Sequence, residues 1–333
     1  MKFGISLGLV HPGVWRDLTV EGERLGFESV WLPEHLVLPV AMEGSPYGED
    51  EHPPVPPKTQ IYDAPAYLSF LAGQTSTIRL GTWVYLLNIR HPFTGARGFA
   101  TVDVVSNGRA EVGVGAGWLR AEWDAVGLDP RTRGKRLDEA IDVCRRLWSE
   151  DVIEHHGEFF DFGPVMFEPK PVQQPLPILI GGESEPALQR AIARGDGWIG
   201  MQHTPESVAP IAKRLRAERG DDFSISVGGA VTSPDDVERW QQAGVDRVIA
   251  IPVHADPAEP EGANVISVNG RVFAAADAFH EQQIGFRHGA HEDCGATRGV
   301  LEGVSPQSRR TEDPARELPG LGRWQARHAS RPA

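Results

Sequence analysis

PILIGGESEPALQRAIARGDGWIGMQHTPESVAPIAKRLRAERGDDFSISVGGAV, residues 177–231, holds two strand–helix units and the strand that follows them. Pro177 to Gly181 is an apolar run of strand length, and Glu185 to Arg194 reads as a helix. Gly197 to Met201 is the next strand, and Pro205 to Arg219 is a helix with proline at its first position. Phe223 to Val231 starts the cycle again. Strands separated by helices pair in parallel through right-handed crossovers, so the loops that follow the strands gather on one rim.

The alternation continues in both directions. Upstream, Phe3 to Leu9 predicts a strand, Val14 to Leu25 a helix ended by Gly26, and Ser29 to Leu32 a second strand. Arg79 to Leu86 predicts a third, and Pro92 opens a helix to about Val105. The Asn107-Gly108 turn leads into Ala110 to Gly115, the fourth. Leu137, Ile141, Cys144 and Trp148 form one stripe of a helix over Arg133 to Trp148, which assigns Cys144 to a core. Downstream, Pro234 to Ala243 is a helix and Arg247 to Val253 the eighth strand. Eight alternations without a break in composition predict a (β/α)8 TIM barrel over residues 1–256.

Two insertions interrupt the rhythm on the rim. Leu38 to Ile61 is rich in proline, glycine and acid and reads either as a substrate cover or as a disordered loop. Gly157 to Gln174 reads as an ordered excursion. Residues 257–333 form an irregular C-terminal tail, disordered or altered in its coding frame, because the final barrel helix is due there and no clear one is legible. Ala274 to Phe279 would make one or two helical turns.

A net charge of −13 leaves no basic excess for nucleic acid. No apolar run reaches the ~20 residues that cross a membrane, and the N-terminus enters a strand directly, so a cytoplasmic protein is expected. Two cysteines exclude a disulfide scaffold. His52, His155 and His156 lack a ligand spacing with carboxylates, so no metal is assigned.

Chemistry-bearing residues cluster at the strand ends. GVGAGW (113–118) and Gly181-Gly182 either expose backbone N–H groups to an anion or serve only to turn the chain tightly. His35, three residues past Leu32, is either a proton-transfer group or a packing histidine. Trp83 either stacks on a planar ring or fills the barrel mouth. Asp196 precedes a strand on the opposite rim and reads as a turn or cap residue.

ATVDVVSNGRAEVGVGAGW (100–118), RGKRLDEAIDVCRRLW (133–148), GEFFDF (157–162), EPKPVQQPLPILIGG (168–182) and GDGWIG (195–200) together resemble the luciferase-like monooxygenase superfamily, most closely its F420-dependent oxidoreductases. The resemblance spans roughly residues 1–255. It implies a barrel that holds coenzyme F420, or alternatively FMN, in its mouth, with a non-prolyl cis peptide near Trp83-Val84 bulging under the ring. By position it implies ring-side roles for Glu34 and His35. Ala116, Gly117 and Trp118 match the segment along the ring, and Gly181 and Gly182 the phosphate turn. It further implies a small-molecule substrate, a homodimer and, for an FMN enzyme, a separate flavin reductase.

Trp118 stands where sugar-phosphate dehydrogenases of the family carry a glutamate, and GDGWIGMQH lacks their basic residues, which argues against a glucose-6-phosphate substrate. A mouth containing Trp83, Trp118 and Phe93 suits an apolar, unsaturated or carbonyl-bearing substrate, with His35 as the proton-transfer group. The leading expectation is hydride transfer between F420 and such a molecule. An FMN-dependent monooxygenase and a cofactor-binding barrel without turnover are the alternatives.

Overall fold

Each repeat starts from local signals that the chain supplies itself. Thr204 and Ser207, and Ser233 and Asp236, form reciprocal capping boxes, each followed by a proline at the first helical position. Asp63 caps a further helix by accepting from the Ala66 amide at 2.9 Å. The computed structural model describes residues 1–8, 10–40, 58–254, 265–268 and 271–274, all within the unit Met1–His288.

The elements run in order as β1 Lys2–Ser6, α1 Trp15–Arg24, β2 Ser29–Leu32, α2 Ala64–Ala72, β3 Arg79–Thr82 and α3 Pro92–Val105. They continue as β4 Ala110–Val114, α4 Arg120–Ala125, α5 Arg133–Ser149, β5 Val152–His156, β6 Asp161–Met166, β7 Ile178–Gly181 and α6 Glu185–Arg194. β8 Gly197–Gln202, α7 Pro205–Arg219, β9 Ser224–Gly228, α8 Pro234–Gln242 and β10 Arg247–Ala250 complete the barrel region. The strand order β1-β10-β9-β8-β7-β4-β3-β2 closes on itself, so the molecule is the expected (β/α)8 barrel. β5 and β6 are an antiparallel hairpin outside it, and β11 Val253–His254, β12 Val265–Val268 and β13 Arg271–Ala274 form a small antiparallel sheet.

Several boundaries differ from expectation. The first strand ends at Ser6 and the third at Thr82, four residues before Leu86. Beyond Thr82 the chain turns over the barrel, and Tyr85 bridges Val114 instead of extending along β2. Helix α2 escaped notice because its buried residues Ala64, Leu68, Leu71 and Ala72 surround Pro65 and sit beside a proline-rich insertion. Helix α4, with six residues, is too short for periodicity to reveal. Most of the Gly157–Gln174 excursion is the β5–β6 hairpin and the return from it. Among the described residues no helix follows β10. The proposed tail helix begins on Ala274, which lies in β13, and its remaining residues, like most of the Leu38–Ile61 insertion and of the tail, lie outside the described residues.

The barrel interior is filled in layers. At the floor Arg247, 2% exposed, donates to both oxygens of Glu28 at 2.8 Å and of Glu111 at 2.9 Å, and Arg79 also bonds Glu111. Above lie Trp31, Leu179, Ile199 and Ile249, with Trp83 and Val84 packed on them. The interior is thus filled up to Trp83 and Val84, and the mouth lies above them, among the loops that follow the strands. Outside, α5 packs on α3, with Cys144 fully buried and Trp148 Nε1 donating to the Ala96 carbonyl at 3.1 Å. No helix of the described residues is long and apolar enough to cross a membrane.

Candidate active site

Pro33-Glu34-His35 leaves the end of β2 at the mouth. Glu34 is buried, and both its oxygens are occupied by protein: it accepts from the Leu86 amide at 2.8 Å and pairs with Arg90. Arg90 in turn donates to the Leu86 carbonyl at 2.9 Å and lies 4.5 Å from the Tyr85 ring centroid. Burial opposes the Arg90 charge, but the bonds to Glu34 outweigh it and hold its pKa above the ordinary value. Glu34 therefore braces the chain that follows β3.

That chain contains a cis peptide between Trp83 and Val84, at the position the resemblance implied. Three glycines make room for it. A Cβ at Gly115 or Gly181 would lie 2.5 or 2.6 Å from a Val84 methyl, and one at Gly228 would strike the Trp83 ring. Gly115 of GVGAGW and Gly181 thus have a steric reason to be there: they seat the protein's own Val84, as Gly228 seats Trp83. Trp83 Nε1 is buried without a hydrogen-bond partner among the described residues.

His35 meets a residue that periodicity missed. Its Nδ1 is 3.1 Å from Oε2 of Glu122, on α4, and the Glu122 side chain is wholly buried. The other carboxylate oxygen accepts from the backbone amides of Leu36 and Val37. Trp118 stands edge-on to His35, with ring centroids 5.9 Å apart and planes at 88°. Two residues before Trp118, the Ala116 carbonyl accepts from Asn88 Nδ2 at 3.0 Å. Gly117 has φ +81°, and a Cβ there would come within 3.0 Å of Trp123 Nε1. An acidic residue four positions after Trp118 was the available signal for Glu122, but a lone acid in a six-residue helix does not stand out.

Phe93 lies in the first turn of α3. Its ring partners are His91 at 4.4 Å and Phe162 of the hairpin at 4.7 Å, because it opens α3 where β6 packs. Gly182 has φ +117°, and its carbonyl accepts from Trp198 Nε1 at 3.0 Å. After it, Glu183 accepts from the Met201 amide at 2.8 Å and pairs with His203 Nε2 at 3.0 Å, across the mouth from His35. His155 pairs with Glu139 and His156 with Asp161; among the described residues no cluster of His, Cys, Asp and Glu forms a metal site. Asp196 accepts from the Ile178 amide at 2.8 Å and pairs with Arg145, on the rim opposite the mouth.

A family model described as luciferase-like monooxygenase matches residues 7–293. The chain belongs to this family. Its members are oxidoreductases and monooxygenases, and relatives of this chain include both F420-dependent and flavin-dependent enzymes. An uncharacterized protein of Mycobacterium tuberculosis is 34% identical over 256 residues, 75% of this chain and 91% of the relative. The F420-dependent glucose-6-phosphate dehydrogenase of Kineococcus radiotolerans is 31% identical over 209 residues, 60% of this chain and 57% of the relative. The oxygenase component of the flavin-dependent trigonelline monooxygenase of Acinetobacter baylyi is 30% identical over 192 residues, 57% of this chain and 47% of the relative. An F420-dependent secondary alcohol dehydrogenase, solved with an F420–acetone adduct, shares the fold with a TM-score of 0.61 at 19% identity, over 75% of this chain and 92% of that one.

Proposed function

We propose that this luciferase-like protein transfers a hydride between coenzyme F420 and a small carbonyl, alcohol or unsaturated substrate. The observation that carries the reading is the pairing of His35 with a buried carboxylate at a mouth whose floor is Trp83 and Val84. The residues present fit a planar cofactor that bears carbonyl groups. Trp83 Nε1 is a buried donor in need of an acceptor, and leaving it unmatched costs about 1–3 kcal/mol. Trp83 and Val84 would form the floor for its ring, with Ala116, Gly117 and Trp118 along the edge. Gly181 and Gly182, ahead of α6, would hold the phosphate. There the Ser184 hydroxyl makes no capping bond, and the charge of Glu185 is matched by Arg214 at 2.5 and 2.7 Å.

When bound, a deazaflavin supplies two-electron hydride chemistry. The chain supplies orientation and the proton. His35 exchanges a proton with the substrate oxygen, and Glu122 holds the imidazole in place. Leu36, Val37 and Val40, all exposed on the loop after β2, give the approach an apolar surface. Such a surface favours a hydrocarbon-rich substrate over a sugar phosphate. The flavin-dependent relative keeps an FMN monooxygenase with a partner reductase as the second reading.

Titrating the purified protein separately with F420 and FMN, following quenching of cofactor fluorescence, tests the proposal. Expected is saturable F420 binding at least about tenfold tighter than FMN, a difference of ~1.4 kcal/mol. Reduced F420 should then be oxidised in the presence of enones or ketones. Preference for FMN would transfer the reading to a flavin monooxygenase, and binding of neither would overturn it.

A further inference from the structure

We infer that Glu122 is a positioning residue that locks His35 in the Nδ1–H tautomer and so leaves Nε2 as the nitrogen that exchanges a proton with substrate. This rests on the proposed hydride-transfer reading for its consequence in turnover, but not for the tautomer itself.

The argument begins with what each atom can do. An ionised carboxylate only accepts hydrogen bonds, so the His35 nitrogen 3.1 Å from Glu122 Oε2 must carry a hydrogen. A neutral imidazole has one donor and one acceptor nitrogen, so Nε2 is left with the lone pair. Nε2 has no hydrogen-bond partner among the described residues. Glu122 itself has little freedom. Its side chain is fully buried, and Oε1 is held by the Leu36 and Val37 amides, which fixes the loop carrying His35 to the carboxylate that reads its ring.

The consequence is a proton path that needs no ring flip. In carbonyl reduction the imidazolium gives the Nε2 proton to the substrate oxygen, while the Nδ1 proton stays on the ring and remains donated to the Glu122 carboxylate. The neutral ring left behind is the tautomer that the carboxylate prefers. In alcohol oxidation Nε2 takes the proton from the substrate hydroxyl by the reverse of the same step. The hydride in either direction is exchanged with the F420 of the proposed reaction, which balances the electrons.

Glu122→Gln discriminates sharply. Its amide oxygen can still accept from Leu36 and Val37, but its NH2 must donate to Nδ1, which places the ring hydrogen on Nε2. The experiment records long-range 1H–15N spectra of 15N-histidine-labelled protein without cofactor, at a pH above the imidazole titration range. The His35 signals are identified by their absence in His35→Ala. Expected are the Nδ1–H pattern in the wild type and the Nε2–H pattern in Glu122→Gln. With reduced F420 and an enone, kcat should then fall at least about tenfold with KM within about twofold. In the His35→Ala background the second substitution should cost nothing further.

An Nε2–H pattern in the wild type would overturn the inference without any variant, so a poorly folded Glu122→Gln does not shelter it. An unchanged tautomer in a folded Glu122→Gln would also overturn it, as would a switched tautomer with undiminished kcat. Absence of wild-type turnover with F420 and with FMN would instead sink the functional reading, and the tautomer spectra would still decide the dyad.

Discussion

Trp83 is the residue at which stability and function pull apart. Its indole N–H is buried without an acceptor, which is unfavourable for the protein alone and useful for a ligand that brings a carbonyl. Trp83→Phe keeps the ring on Gly228 and removes the donor. The melting temperature of the variant without cofactor is therefore expected to stay level or rise. Its F420 affinity should fall about three- to tenfold, the worth of one hydrogen bond near 1 kcal/mol. Thermal unfolding and fluorescence titration of the same samples check the two signs, and a fall in both quantities would mean that the indole packs rather than binds.

At the scale of elements, single side chains fasten one repeat to the next. Gly181, at the end of β7, makes room for Val84 from the chain after β3. Gly181→Ala places a methyl 2.6 Å from Val84 Cγ1 and should cost about 1–3 kcal/mol through overpacking. Adding Val84→Ala should recover part of that loss, which a double-mutant cycle by urea unfolding would read as coupling. Glu23, in α1, fastens the turn before β3. Burial alone would raise its pKa, but the amides of Ile78, Thr77 and Ser76 and the Thr77 hydroxyl outweigh burial and bring it to about 2, from an ordinary 4.5. A depressed folded pKa stabilises fully above the unfolded value and loses that contribution as pH falls through the folded one. Wild-type stability should thus drop between pH 4.5 and about 2 more steeply than that of Glu23→Gln. Parallel melting curves for the two proteins across that window measure the difference.

The whole molecule is closed at its floor by charge. Arg247 joins Glu28, beside β2, to Glu111 of β4 across the barrel axis, and the three are largely removed from water. Deleting one partner of such a network leaves the others uncompensated. Arg247→Ala is expected to cost about 3–5 kcal/mol, and Arg247→Met combined with Glu111→Leu distinctly less. Denaturant titration ranks the variants, and equal losses would show that volume rather than charge dominates the floor.

Much of this barrel was legible because its causes are local in sequence. Apolar runs of strand length, prolines and caps at helix starts, and glycines at strand ends all act within a few residues, and they located the eight barrel strands and six of the eight helices α1–α8 without any tertiary knowledge. Where they failed, the cause was length or disguise: α4 has too few turns to show a period, and α2 stands beside a proline-rich insertion. The rim position of His35 and the glycines at 115, 181 and 182 were likewise readable from their places at strand ends. What each does was not, because that depends on partners far along the chain. Glu122 lies 87 residues from His35, Arg90 lies 56 from Glu34, and Val84 reaches Gly181 only once the barrel has closed. The sequence by itself determined the repeat, the closing of eight strands and the rim on which chemistry is placed, since these follow from periodicity and chain direction. Only the tertiary structure decided that Glu34 is spent on Arg90, that Gly115 and Gly181 seat Val84, and that a buried carboxylate faces His35. Hydrogen bonds and close contacts depend on distances of a few ångströms, and those are set by the closed barrel rather than by neighbours in the chain.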